Sequence, residues 1–138
     1  MIPCYFTRTA SGIASTDLPV SPWNAHALNG VAVGGLLAAL LEEHAPKAAA
    51  PLHWARLTID LLGAVPAGEL VPRYTLLRAG RQMQLLQIEL VAGDRVVARA
   101  QALRVRDAGT PACETPLGVA APEAFAAGPA QTLSLIHI

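Results

Sequence analysis

Residues 21–45, SPWNAHALNGVAVGGLLAALLEEHA, limit the folds open to this chain more than any other stretch. They begin as a Pro/Asn/His loop, turn at Asn29-Gly30, and run apolar from Val31 to Leu41. The run is apolar nearly all the way round rather than on one stripe, which predicts a helix buried on most sides. At eleven residues it is too short to cross a bilayer, which takes about 20. Glu42-Glu43-His44 and then Pro46 end it. The strand-like remainder is expected to wrap around this helix. The amides of Gly30 and Val31, at its N-terminus, are then a ready-made electrophilic spot.

With 138 residues the chain holds one domain and a modest core. Lys+Arg and Asp+Glu are both 10, and only 14% of residues are charged. A balanced, charge-poor chain argues against nucleic acid as a partner. Near-zero charge also favours association, so a partner is expected over part of the surface. Cys4 and Cys113 are read as free thiols in a cytoplasmic protein. The first ten residues carry no basic segment followed by an apolar one, so no signal peptide is read there.

Residues 5–15 are read as a first strand with a turn at Ser11-Gly12, and 16–28 as a loop holding Pro19 and Pro22. After the helix, 45–51 form a proline-bounded connector. Residues 53–62 alternate. Ala55, Leu57, Ile59 and Leu61 point one way; Trp54, Arg56, Thr58 and Asp60 point the other. Strands at 69–78, 81–91 and 95–106 follow, separated by Ala79-Gly80 and by a hairpin turn at 92–94. Small Val96, Ala98, Ala100 and Ala102 let the last strand close tightly against a helix. The expected class is α+β: an antiparallel sheet of about five strands wrapped around one long buried helix. One helix cannot cover such a sheet, so a second copy or second domain is expected at its open side or edge.

Residues 107–132 are rich in Pro, Ala and Gly without periodicity and are read as a linker after a domain at 1–106. Residues 133–138, LSLIHI, match the translation of a transposase end sequence used in sequencing libraries. They are read as adapter read-through, which implies that the natural protein continues past Thr132.

Helix-terminal amides suit an acyl-transfer reaction, because they stabilise a developing oxyanion. Gly30 lets a substrate approach the backbone, and Asn29 beside it is placed with the substrate-binding residues. His26, Asp17 and Asp60 are candidate bases, and Asn24 is a candidate for positioning water. Arg78 and Arg81 bracket Ala79-Gly80 and suit the phosphates of coenzyme A. His44 and His53 lack a third ligand at useful spacing, so no metal is expected. A phosphate loop, a dinucleotide fingerprint and a Gly-x-Ser-x-Gly elbow are all missing from the sequence.

The ordered set YFTRTASG, SPWN, NGVAVGGLLAALLEEHAP, ARLTIDLLGAVPAGEL, RAGRQMQLLQIELV and VVARAQALRVRD resembles the acyl-CoA thioesterases of double-hotdog type. The resemblance covers 5–132. It implies a hotdog fold, two such units side by side in the full-length chain, and hydrolysis of acyl-CoA thioesters with no cofactor beyond substrate coenzyme A. It also brings Gln101 among the active-site residues. Relatives often carry His-Gly-Gly where this chain has Leu28-Asn29-Gly30, and their catalytic acid usually lies in the second unit. The resemblance therefore implies an N-terminal unit whose acid comes from elsewhere. The alternative expectation is a non-catalytic, acyl-binding half that completes the fold of a second hotdog unit, in cis or as a homodimer. No membrane partner is expected.

Overall fold

The computed structural model describes residues 4–107 and residue 109. The linker, the terminal LSLIHI, Cys113 and the first three residues named above lie outside the described residues, except for Asp107 and Gly109 of the linker. Strands β1 (Phe6–Arg8), β2 (Ile13–Ser15), β3 (Val20–Ser21) and β4 (Asn24–Leu28) precede helix α1 (Gly30–His44). Strands β5 (Leu52–Leu61), β6 (Glu69–Ala79), β7 (Met83–Ala92) and β8 (Arg95–Arg106) follow it. Six of them form one antiparallel sheet in the order β1-β2-β6-β7-β8-β5. This is the hotdog arrangement: one sheet around one central helix.

Local chemistry sets the helix. Asn29 has extended backbone, and its Oδ1 accepts from the Val31 amide at 2.8 Å, an N-cap. The last turn closes when Ala45, also extended, donates to the Glu42 carbonyl. Pro46 disfavours a further helical residue. One side of α1, Val33, Leu36, Leu37, Leu40 and Leu41, packs onto Leu86, Ile88, Leu90, Ala98, Ala100 and Ala102 of the sheet. Each fully buried leucine or isoleucine there contributes about 1.5–3 kcal/mol. The helix meets β5 through small residues. A Cβ at Gly30 would stand 3.0 Å from Leu61 Cδ1, and one at Gly34 3.5 Å from Ile59 Cδ1.

Four expectations need correction. Helix α1 is not buried on most sides: Val31, Gly35 and Ala39 are exposed, so the apolar circumference outlines a face that this unit leaves open. Residues 16–28 are not all loop, because β3 and β4 pair as a two-stranded sheet. Pro19 takes part by offering its carbonyl to the Asn29 amide at 2.7 Å, which a proline can do. Trp54 does not share a face with Arg56. The register shifts between Trp54 and Arg56, so Ala55 bulges and Trp54 joins Leu57, Ile59 and Leu61 on the helix side. Likewise Val97, not Val96, is buried, because the β7–β8 register shifts after Leu90.

No helix among the described residues is long and apolar enough to cross a membrane.

Candidate active site

Strand β4 leads straight into the N-cap of α1 and is anchored on both sides. Leu28 donates to the Val65 carbonyl at 2.7 Å, and Ala67 donates to the His26 carbonyl at 3.1 Å. The helix N-terminus is thereby fixed against the β5–β6 loop, with Gly30 exposed beside Leu61. The Gly30 amide is at the first helical position, where no acceptor exists within the helix. The Val31 amide is different, because Asn29 Oδ1 already occupies it. Val31 is therefore available to a substrate oxygen only if Asn29 lets go.

Along β5 the half-exposed Leu61 and Ile59 lie close against Gly30 and Gly34. Further along, toward the C-terminal end of α1, lies a cleft of about 240 Å³ lined by Ala38, Leu41, Glu42, Trp54, Leu57 and Ala102. The lining is apolar apart from Glu42, so the cleft accepts a hydrocarbon or aryl group. Glu42 lies about 18 Å along the axis from Gly30 and about a third of a turn around it. Glu42, which the sequence showed only as part of the polar end of the helix, lines the cleft beside Ala38, four residues before it. Behind the cleft, Arg104 stacks over Trp54 at 5.1 Å. It donates to Gln84 Oε1 and the Pro46 carbonyl, both at 3.1 Å, and to the Leu52 carbonyl at 3.4 Å.

The other candidates are dispersed. Asn24 sits at the tip of the β3–β4 hairpin, where its Oδ1 accepts from the His26 amide at 2.9 Å. Five steps of extended chain separate it from Asn29, on the order of 16 Å. His26 is exposed on the same strand, nearer the helix. Asp17 lies exposed before β3. Asp60 and Gln101 are on the sheet face away from α1: Asp60 opposes Arg99, and Gln101 donates to Gln87 at 2.9 Å. Neither reaches Gly30 within this unit. Arg78 pairs with Leu85 on that same outer face, and Arg81 lies in the turn beyond. Both stand at the Trp54 end of the sheet, whereas Gly30 contacts the Leu61 end.

Among the described residues two titrating groups are displaced, and neither lines the cleft. The Glu69 carboxyl is held below its ordinary value by hydrogen bonds, first from Ser11 and then from Thr9. The Tyr74 hydroxyl, whose ring stacks on His44 at 3.7 Å, is pushed up by burial first and by Glu43 second. Arg8, which ion-pairs with Glu43, works in the opposite direction.

A helix packed on an antiparallel sheet in the order β1-β2-β6-β7-β8-β5 defines a hotdog protein. Residues 19–105 match the acyl-CoA thioesterase N-terminal domain, and the chain belongs to that family. No curated protein matches the sequence. Among solved structures, a phenylacetic acid degradation-related protein of Ralstonia eutropha, assigned to the thioesterases, aligns with a TM-score of 0.56 and 26% identity. That alignment covers 67% of this chain and 71% of that one. The Escherichia coli PaaI protein, from the phenylacetic acid degradation operon, aligns at 0.59 and 20% identity over 71% of each chain. A Streptococcus mutans protein bound to acetyl CoA aligns at 0.60 and 11% identity, over 76% of this chain and 90% of that one. The last two share the fold.

Proposed function

We propose that this unit takes part in hydrolysing an acyl-CoA thioester to a free acid and coenzyme A. The observation that carries the reading is the Gly30 amide, exposed at a helix N-terminus in a unit that also holds an apolar cleft beside α1. The thioester oxygen would accept from Gly30, and from Val31 once Asn29 releases it. Water oxygen then bonds to the carbonyl carbon and gives its proton to a base. Collapse of the tetrahedral intermediate breaks the carbon–sulfur bond, and the thiolate leaves and is protonated. The acyl chain would run along β5 toward Trp54.

No carboxylate among the described residues stands on α1 nearer to Gly30 than Glu42. This favours a site shared with a second hotdog unit that brings the acid. Strand β5 is a ten-residue edge strand with apolar side chains left half-exposed, and α1 beside it shows an open face of Val31, Gly35 and Ala39. A long apolar edge of this kind is a site for pairing. The second unit, in cis or as a second copy, would extend the sheet at β5 and cover that face. The same missing carboxylate supports the second reading, in which this half binds the acyl group and catalyses nothing alone.

The test is thiol release from a panel of acyl-CoAs, with wild type and Gly30→Val. A valine there blocks approach to the amide, and loss of one oxyanion donor typically costs about 100-fold or more in kcat. Turnover that survives Gly30→Val unchanged would refute the assignment. Acyl-CoA binding without turnover in the wild-type protein would select the second reading.

A further inference from the structure

The hairpin ahead of α1 carries a side chain that the fold does not use. Trp23, at the turn between β3 and β4, is 76% exposed, more than any other aromatic side chain among the described residues. It belongs to neither the core nor the cleft. An indole left in water is a large apolar face without a partner.

The hairpin that presents it is stiff. The Trp23 amide donates to Ser21 Oγ at 3.3 Å and the His26 amide to Asn24 Oδ1 at 2.9 Å, while Pro22 fixes its own φ. At the other end the Asn29 amide donates to the Pro19 carbonyl and the Leu28 amide to the Val65 carbonyl, both at 2.7 Å. The hairpin therefore sets how far Trp23 stands from Gly30. Six steps of extended chain separate Trp23 from Asn29, at most about 20 Å.

That span fits coenzyme A when its thioester oxygen rests on the Gly30 amide. The pantetheine arm has about thirteen bonds from sulfur to the first phosphorus, roughly 15 Å at ~1.2 Å per bond. The diphosphate and ribose cover the rest. We propose that this hairpin holds the coenzyme A part of the substrate, with the pantetheine along β4 and the adenine stacked on Trp23. The position of the thioester rests on the thioesterase reading. Asn24 and His26, exposed on β4, carry side-chain N–H groups that suit the pantetheine amides. They then hold the substrate instead of activating water.

Charge decides which part of the nucleotide is read. Residues 9–46 include no Lys or Arg, and Asp17 precedes the hairpin. The hairpin thus offers the phosphates no permanent cation, and it offers the base an aromatic face. Recognition rests on the adenine, with the phosphates left in water.

Calorimetric titration with octyl-CoA, octyl-dephospho-CoA and octyl-pantetheine, thioethers that cannot be hydrolysed, tests this without turnover. Wild type should bind the first two within about threefold of each other, because an exposed charge contact is worth little. It should bind octyl-pantetheine about fivefold or more weakly than octyl-CoA, the value of one stacked base. Trp23→Ala should weaken octyl-CoA by the same factor and leave octyl-pantetheine unchanged, so the two deletions do not add. Trp23→Phe keeps an aromatic face and should recover most of the loss. This pattern in a protein that fails to hydrolyse octanoyl-CoA would sink the thioesterase reading and uphold the stacking. The proposal is overturned if wild type binds octyl-CoA no more tightly than octyl-pantetheine, or if octyl-dephospho-CoA falls to the pantetheine level. It is also overturned if Trp23→Ala binds octyl-CoA as wild type does, or weakens all three ligands alike, which would mark Trp23 as an interface or folding residue.

Discussion

The same substitution, glycine to alanine, is expected to change stability in opposite directions at two positions. A Cβ at Gly12 would lie 2.4 Å from the Leu70 carbonyl oxygen, 3.2 Å from its carbon and 3.3 Å from Val71 Cα. All three are backbone atoms of β6, which is held by Ile13 opposite Leu70 on one side and by Val91 opposite Val71 on the other. Leu70 is fully buried, so β6 cannot retreat. The β1–β2 turn must lift instead by about 1 Å to reach ordinary contact. Lifting it loosens the Ile13–Leu70 pairing and the grip of Thr9 and Ser11 on Glu69. Overpacking of this kind costs about 1–3 kcal/mol. Gly35, by contrast, is exposed in the helix interior, and a Cβ there meets nothing within 4 Å. Gly35→Ala should stabilise by about 0.5–1 kcal/mol, the helical cost of glycine. Urea unfolding with an unchanged slope measures both. A Gly12→Ala loss below about 0.5 kcal/mol, or a Gly35→Ala loss in the dissociated protein, would refute the packing argument. If a partner covers the α1 face, Gly35→Ala should also weaken that assembly while stabilising the lone unit.

Three further outcomes are expected. Glu69 has a lowered carboxyl value, so its contribution is present above the ordinary 4.5 and lost as pH falls through the folded value. Amide exchange in β2 should therefore quicken in acid, and Glu69→Gln should flatten that dependence. Tyr74 has a raised value, so its contribution is complete below 10.0 and lost as pH rises through the folded value. Its phenolate absorbance should emerge at higher pH than that of free tyrosine, and Glu43→Gln should bring it earlier. Arg104→Met removes three charge-assisted hydrogen bonds and strands the buried Gln84. It should cost about 2–3 kcal/mol in urea, partly recovered by adding Gln84→Leu.

The helix, the later meander and the open N-terminus were legible because they rest on composition and turn chemistry. Val31 to Leu41 could not be anything short of a core element, and Ala92-Gly93-Asp94 could only be a hairpin. Bulges were not legible. Ala55 and Val97 sit in strands that still alternate in sequence, and an extra residue declares itself only when the neighbouring strand is known. That single slip turned Trp54 from the outer face into the wall of the cleft. Asp60 was a candidate as a carboxylate base and Gln101 through the family resemblance, but face assignment needs the register, and the register puts them behind the sheet. Arg104 was missed for the converse reason: an arginine near a strand end reads as solvated, and only the fold folds its stem over Trp54.

The helix also precedes, in the chain, almost everything it rests on. Its floor includes Ala98, Ala100 and Ala102, in the last strand. A ribosome adding about 5–20 residues per second completes α1 roughly three to twelve seconds before Ala102 is made. Through that interval an element apolar around most of its circumference has no sheet to lie on. Nascent chains of this protein should therefore engage a holding chaperone as α1 clears the exit tunnel, and release it once β8 has emerged. Codon changes that slow translation between β5 and β8 should lower the soluble yield, even though they alter no residue.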